Sequence, residues 1–358
     1  DEPVVFGTVT TQLDALRDWL VAQGVRSVAM EATGVYWLAL YGVLEAAGLD
    51  VRMVNGRQTR NAPGRKSDMQ DAQWGATLHM HGLLRAGFVP PADIRRLQDY
   101  LRLRADHVSQ AAGCVQLMQK ALERMNIKLH DAISALAGTS GMAVMRAIVA
   151  GERDPAALLA LCDVQIRRTK AELVKETLRG TWSEEHIFAL EQALQSWDHY
   201  QGLIAECDRR IETVLPPYDP SRPALPKPAK RAGANAPEIS KLREILAQMC
   251  GGRDLTQLPA HTHYGVLQLI GETGTDLSKW PSEKHFTAWT GLAPANHDSG
   301  KRKGRVKRTR NRAGQLFCMM ASSLVRSKHI ALGAFYRRMA ARRGGLVANK
   351  ALARKLAA

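Results

Sequence analysis

Residues 27–54 decide the fold of the first part of the chain, and they read SVAMEATGVYWLALYGVLEAAGLDVRMV. The short apolar run Ser27–Met30 is typical of a buried strand. Apolar residues then recur at helical spacing over Val35–Ala47, and Gly48 ends that helix. Val51–Val54 forms a second apolar run. This strand–helix–strand order predicts a βαβ unit, a mostly parallel sheet and hence an α/β domain.

The following segment, residues 94–215, has a composition typical of long helices. Gly and Pro become rare, and apolar residues recur three or four positions apart with charged residues between them. The recurring residues are Leu97, Leu101, Leu103, Val108, Val115, Met118, Leu122, Met125 and Leu129. This pattern predicts amphipathic helices. We expect an antiparallel coiled coil that is interrupted near Gly138–Gly141 and ends at Pro216-Pro217.

These changes in composition divide the chain into four segments. Residues 1–93 form the α/β domain and residues 94–215 the helical, coiled-coil segment. Residues 216–238 are a proline-rich linker or extended arm, and residues 239–358 form a mainly helical C-terminal domain. A chain of 358 residues is long enough for two or three domains.

Positive charge is concentrated at the end of the chain. The whole chain has a net charge of +16, whereas residues 299–358 contain 17 Lys and Arg and no Asp or Glu. The densest cluster comprises Lys301, Arg302, Lys303, Arg305, Lys307, Arg308, Arg310 and Arg312. We call these eight residues the basic cluster. They predict nucleic-acid binding, because neutralising phosphates releases counterions. A solvated tail or a targeting patch is the alternative interpretation.

Several other classes of protein are disfavoured. The five cysteines are scattered without a close pair, which argues against a zinc ribbon or a disulfide framework and fits a reducing compartment. No apolar run approaches the roughly 20 residues that a membrane-spanning helix needs. We therefore expect a soluble, cytoplasmic protein without a membrane partner.

Three carboxylates are candidates for a metal site. Glu31 follows the first strand, at the edge where functional residues of open parallel sheets collect. Asp68 and Asp71 are three residues apart, on one face of a helix that Ser67 is suited to cap. Structural interpretations also exist. A lone carboxylate at the position of Glu31 is more often a charge at a helix start, and the two Asp side chains are suited to interact with a helix dipole.

Together the three carboxylates predict binding of Mg²⁺, a cation that takes few protein carboxylates and leaves positions for phosphate oxygens. Two such ions would activate water and stabilise the leaving oxygen during phosphodiester cleavage. Arg65 and Lys66, which directly precede the acidic pair, would hold a nucleic-acid backbone.

Ser299 lies directly before the basic cluster, in the sequence Asn296-His297-Asp298-Ser299-Gly300. Nearby positive charge favours an alkoxide and stabilises a phosphorane-like transition state, so Ser299 is a candidate nucleophile toward phosphate. Residue types alone favour a loop serine that caps a turn, since His297 is the only nearby candidate for a base.

The motifs as a set resemble the DEDD transposases of insertion-sequence family 110. In the first part they are residues 30–37 (MEATGVYW), 54–55 (VN), 63–72 (PGRKSDMQDA) and 81–85 (HGLLR). In the second they are residues 271–272 (GE), 286–294 (FTAWTGLAP), 299–300 (SG) and 310–313 (RNRA). The proline-rich arm, with residues 327–328 (SK) and 333–338 (GAFYRR), resembles the subgroup numbered 1111.

The resemblance implies a DNA recombinase with an N-terminal RuvC-like (RNase H-like) domain and a C-terminal transposase domain, located at the bacterial nucleoid. Glu31, Asp68 and Asp71 would bind Mg²⁺, and Ser299 would form a covalent phosphoserine intermediate. A structured non-coding RNA, called bridge or seeker RNA, would pair with donor and target DNA. Members assemble as dimers and tetramers, with the helical middle segment providing subunit contacts.

The chain departs from the family pattern at the first Asp, which the family carries on the first strand of the sheet. No residue before Glu31 matches it, so either the segment with this Asp lies upstream of the chain, or the chain does not complete its metal site. Two alternative functions stay open at this stage. One is a RuvC-like, metal-dependent junction resolvase without a covalent serine, and the other is a non-catalytic protein that binds RNA or DNA.

Overall fold

The computed structural model describes residues 3–32, 34–56, 58, 68–227, 233, 235–294, 309 and 311–358. The chain forms two compact units, residues 1–90 and residues 91–358. Each unit buries apolar side chains of its own.

The first unit contains a parallel sheet and three helices. Its elements are α1 (Thr10–Ala22), β1 (Ser27–Glu31), α2 (Trp37–Ala46), β2 (Asp50–Val54) and α3 (Asp68–Met80). β1 and β2 pair in parallel, in a register that aligns Ser27 with Asp50 and Glu31 with Val54. The predicted strand–helix–strand order and the parallel pairing are therefore confirmed. Within the described residues the sheet consists of these two strands.

The core of this unit lies between α2 and the sheet. Leu44 on α2 is fully buried in a cluster with Met30 of β1 and Met53 of β2. After α2 the chain turns at Gly48, whose φ of +77° is readily adopted only by glycine. Gly48 N–H donates to the Glu45 carbonyl, which closes the end of the helix and directs the chain into β2.

The second unit is built around two long helices, α4 (Ala92–Arg124) and α9 (Glu184–Val214). They run antiparallel, because Arg104 contacts Asp208 while His107, further along α4, contacts Tyr200, earlier in α9. The antiparallel arrangement of long helices is therefore as predicted. With 33 residues and a rise of 1.5 Å per residue, α4 is about 50 Å long.

The interruption between the long helices is wider than predicted. Four shorter helices fill it: α5 (Leu129–Ala132), α6 (Thr139–Val149), α7 (Pro155–Ala160) and α8 (Val164–Thr177). Met145, Ile148 and Leu158 on these helices are fully buried in one cluster with Met118 of α4 and Leu190 of α9. Residues 125–183 therefore form a packed tip rather than a simple turn near Gly138–Gly141.

At the opposite end of the long pair, α10 (Leu242–Met249), a 3₁₀ turn (Leu255–Gln257) and α11 (His263–Thr273) complete a second core, which we call the base. Its buried members on the long helices are Ile94, Leu97, Leu101, Ile211 and Leu215. Leu246 of α10 and Leu267 of α11 pack against them. The base end of the helix pair is thus joined to α10 and α11.

A buried ion pair crosses the base. The Arg104 guanidinium donates to both carboxylate oxygens of Asp208, at 2.5 and 3.2 Å, and the two side chains are 2% and 5% exposed. Burial lowers the pKa of Arg104, but the interactions with Asp208 and Tyr264 together outweigh this effect and leave the pKa above its ordinary value. Arg104 also donates to the Asn235 carbonyl, and Asp208 accepts from Glu238 N–H. The ion pair therefore ties the end of the proline-rich arm to the long helices.

The end of the chain is helical in its described part. It comprises α12 (Glu283–Trp289), α13 (Arg312–Leu324), α14 (Ala331–Arg343) and α15 (Gly345–Ala357). Ala313, Ala321, Leu352 and Ala353 are fully buried between these helices. The small side chains of Ala313, Ala321 and Ala353 let α13 and α15 approach closely. None of the helices in the described ranges is both long enough and apolar enough to span a membrane.

Candidate active site and nucleic-acid-binding surface

Glu31 is the last residue of β1, at the carboxyl edge of the parallel sheet. Pairing continues one residue further, since Ala32 N–H donates to the Val54 carbonyl at 3.3 Å, and this fixes the backbone beneath Glu31. The residue is exposed, and its carboxylate lies against Gly56 in the loop after β2. A Cβ added to Gly56 would lie 2.7 Å from Glu31 Cδ. Functional side chains of open α/β folds gather at this edge.

Asp68 and Asp71 occupy the first turn of α3, and both are exposed. Because they are three residues apart, they are neighbours on one face of the helix. Neither makes a hydrogen bond or an ion pair with another part of the chain that the structure describes. Ser67, the predicted cap, lies outside the described residues, as do Arg65 and Lys66.

His79, near the end of α3, fixes the direction of this helix relative to the sheet. Its Nε2 lies 2.9 Å from Ser27 Oγ, at the start of β1. Asp71 is eight residues earlier, about 12 Å away along the helix axis. Glu31 is four residues beyond Ser27, about 13 Å along the strand. The acidic positions therefore lie at the ends of α3 and β1 that are remote from the His79–Ser27 contact.

The structure brings Asp68 and Asp71 together but does not gather Glu31 with them. Over the described ranges, no three His, Cys, Asp or Glu side chains form a group that could hold a metal ion. The chemistry of the three residues nevertheless fits Mg²⁺, because exposed carboxylates supply hard oxygen ligands. Their role as metal ligands stays a prediction.

Ser299 and seven members of the basic cluster, Lys301 to Arg310, lie outside the described residues. The eighth member, Arg312, is the first residue of α13, directly after the capping residue Asn311. Asn311 Oδ1 accepts from Gly314 N–H at 3.2 Å, and its Nδ2 donates to the Trp289 carbonyl at 3.3 Å. Asn311 therefore joins the start of α13 to the end of α12.

Gly314 makes this junction possible. A Cβ added there would overlap the Thr290 carbonyl oxygen and lie 2.6 Å from Thr309 Cγ2. Gly314, which follows positions 295–308, is thus in close contact with Thr290, which precedes them. Sequence reasoning did not single out Asn311 or Gly314 as anchors, although an Asn before a helix is a recognisable capping signal.

The last two helices carry a second group of cations, which lies outside the predicted basic cluster. They are Arg337, Arg338, Arg342 and Arg343 on α14, and Lys350, Arg354 and Lys355 on α15. The sequence from residue 311 to residue 358 contains no acid that would pair with them. The basic character predicted for residues 301–312 therefore continues along the chain onto α14 and α15.

The cysteines offer no activated nucleophile. Burial raises the pKa of all five thiols, those of Cys114, Cys162, Cys207, Cys250 and Cys318. A raised pKa keeps a thiol protonated at neutral pH, and a protonated thiol is a poor nucleophile.

Two family models match the chain on either side of the helical tip. The model of the DEDD transposase domain of IS110 elements matches residues 6–127, which include Glu31, Asp68 and Asp71. A model described as transposase, IS116/IS110/IS902 family, matches residues 253–337, which include Ser299 and the basic cluster. No curated protein matches the chain. The chain thus carries both the DEDD domain and the C-terminal domain of IS110-family transposases, and it is an enzyme that recombines DNA.

Proposed function

We propose that this transposase cuts and rejoins DNA strands with metal-bound carboxylates and a serine nucleophile, guided by a structured non-coding RNA. The observation that carries the proposal is the exposed acidic turn of α3, where Asp68 and Asp71 face solvent without a partner in the described chain. This turn lies within the match to the DEDD domain. The motifs of the proline-rich arm and of residues 327–338 support the subgroup numbered 1111.

Glu31, Asp68 and Asp71 would hold Mg²⁺, and Arg65 and Lys66 would bind the DNA backbone beside them. The bound ion would supply Lewis-acid stabilisation of charge on phosphate oxygens. The position of Glu31 at the sheet edge and of the two Asp residues at the helix start supports these roles. Both positions are open to solvent, so a nucleic-acid phosphate has access to them.

Ser299 would attack the scissile phosphate. Its oxygen would form a bond to phosphorus while the bond to one deoxyribose oxygen breaks, which leaves a phosphoserine and a free hydroxyl on the other strand end. Attack by a hydroxyl of a second DNA strand would reverse the step and join new ends. The basic cluster would stabilise the negative charge that develops on the non-bridging phosphate oxygens.

A guide RNA, together with donor and target DNA, would occupy the basic surface of the C-terminal domain. We further propose that the protein is a dimer or tetramer with subunit contacts along the long helices, and that it works at the nucleoid. Exposed apolar side chains support such contacts, since Leu103 and Leu117 on α4 are 47% and 55% exposed and Phe188 on α9 is 61% exposed. Exposed apolar groups of this kind are suited to a protein partner.

Trapping of a covalent adduct tests the serine assignment. Incubation with DNA from the element's end, followed by denaturation, should leave DNA attached to the unaltered protein and none attached to Ser299→Ala. Ser278→Ala, a loop serine within the same family match, is the matched control and should retain the adduct. An adduct of normal yield in Ser299→Ala would refute the assignment.

A RuvC-like junction resolvase is the second candidate, and the exposed carboxylates of Glu31, Asp68 and Asp71 favour it equally. Metal-dependent hydrolysis leaves no protein–DNA adduct. Cleavage of four-way junctions that depends on Asp68 and Asp71 but not on Ser299 would therefore select this alternative. If the protein neither cleaves DNA nor forms an adduct but still binds DNA or RNA, the result would select the third candidate, a non-catalytic nucleic-acid-binding protein.

A further inference from the structure

The C-terminal helices enclose a cleft that the proposed chemistry does not use. It has a volume of 490 Å³ and lies between the region around α12 and the pair α14–α15. Phe335 and Met339 of α14 and Val347 of α15 give it an apolar lining. A cleft of this size and lining is suited to a flat, largely apolar group.

The same cleft has a positively charged rim. Arg354 and Lys355 of α15 line it, and the Lys355 ammonium lies 5.0 Å from the centroid of the Phe335 ring. Glu283 is the acidic residue in the lining. Residues 311–358, which include α14 and α15, contain no Asp or Glu that would neutralise the rim. The cleft therefore combines an aromatic, apolar floor with an excess of positive charge, which is the combination that single-stranded nucleic acid requires.

We propose that this cleft takes one unpaired nucleotide of the DNA strand that is being cut. The base lies on the apolar floor beside Phe335, and the adjoining phosphates are held by Arg354 and Lys355. This inference rests on the proposed function and extends it, because it assigns a binding site for the strand next to the reacting phosphate.

The position of the cleft in the chain selects DNA as its occupant. Pro294 lines the cleft and precedes Ser299 by five residues. Five residues of polypeptide extend at most about 18 Å, so a nucleotide in the cleft lies within a few nucleotides of any phosphate that Ser299 attacks. A nucleotide of the cut strand is therefore the ligand that both the charge and the location favour.

Binding of a fluorescent oligonucleotide tests the inference. The probe is a single-stranded oligodeoxynucleotide with one central 2-aminopurine, whose fluorescence rises when the base leaves its stacked neighbours. It is titrated with the full chain without added divalent metal. Ala351→Trp places an indole in the cleft lining without changing the charge, and we expect it to weaken binding at least fivefold and to remove the fluorescence rise. Leu346→Trp is the matched control, since Leu346 is 86% exposed on the same helix and outside the cleft, and it should bind as the unaltered chain does.

A second variant keeps the proposal testable if Ala351→Trp does not fold. Arg354→Gln with Lys355→Gln leaves the apolar floor intact, and we expect weaker binding with a smaller dependence on salt concentration. Equal affinity of all variants for the probe would overturn the proposal. The proposal would also be overturned if Ala351→Trp lowered the affinity for duplex DNA, for single-stranded RNA or for an acidic peptide as much as the affinity for single-stranded DNA. Since no strand is cut in this assay, a failure of the serine assignment would leave its result unchanged.

Discussion

At the scale of single residues, Asp68 and Asp71 place two like charges on one exposed turn, where they repel each other. The positive end of the helix dipole compensates part of this repulsion, and a bound cation would compensate more. If the two residues only interact with the helix dipole, removal of one charge should leave activity unchanged. If they bind a cation, removal of one charge should abolish activity. The fold is the same in both cases.

We expect Asp68→Asn or Asp71→Asn to abolish metal-dependent strand cleavage while the free energy of unfolding changes by less than about 1 kcal/mol, the usual contribution of a charge in the first turn of a helix. Cleavage assays over a range of Mg²⁺ concentrations, together with thermal unfolding, provide the measurement. Asp93→Asn is the matched control, because Asp93 occupies the first turn of α4 and should lose only the interaction with the dipole. Unchanged Mg²⁺ dependence in both Asp variants would contradict the ligand roles.

Some site positions follow from local sequence and others do not. The placement of Glu31 at a strand end and of Asp68 at a helix start was predictable, because apolar runs and charge spacing report local structure. The closeness of Gly314 to Thr290 was not, since it depends on two segments that meet only in the folded chain. Whether Glu31 meets the two Asp residues is a tertiary property of the same kind, and sequence spacing carries no information about it.

At the scale of elements, the helix pair α4–α9 depends on apolar contacts along its length and on one buried charge pair. Periodicity predicted the apolar contacts but not the partner of Arg104, which lies 104 residues later in the chain. It also missed the packed tip, because short helices such as α5 and α7 contain too few turns to show a period. Their stability comes from burial against the long pair rather than from their own sequence.

We expect Arg104→Met to destabilise the protein by about 3–5 kcal/mol, because it leaves Asp208 buried and unpaired. The double variant Arg104→Met with Asp208→Leu should recover much of this loss, since two apolar side chains of similar volume need no solvation. Urea unfolding monitored by circular dichroism measures both.

Arg146→Met serves as the control for this pair. Arg146 and Asp198 join α6 to α9 with similar geometry, but they are 49% and 44% exposed. Water screens such a pair, so its loss should cost no more than about 1 kcal/mol. Equal costs at the two sites would mean that burial does not decide the contribution of the Arg104–Asp208 pair.

At the scale of the whole molecule, charge is strongly segregated. The +17 of residues 299–358 exceeds the net charge of the entire chain, so residues 1–298 have a net charge of −1. Composition alone predicted this division, because charge is counted directly from the sequence. It did not predict that the cations extend over two folded helices, which is a property of α14 and α15.

We expect the protein, purified from cells that carry its own element, to retain one discrete, structured RNA from the end of that element. Sequencing of the co-purified RNA is the measurement, and a variant with Arg337, Arg338, Arg342 and Arg343 changed to Gln should retain less of it. Recovery of heterogeneous cellular RNA, or of none, would contradict the guided mechanism. It would favour the junction-resolving alternative.

The length of the helix pair has a consequence for engineering. The tip and the base are separate cores at opposite ends of α4 and α9. The number of helical residues between them therefore sets the distance between the two cores. Removing seven residues from each helix at matched positions would bring the tip about 10 Å nearer to the base without altering either core. A graded series of such deletions would show at which spacing an assembly of several copies ceases to form.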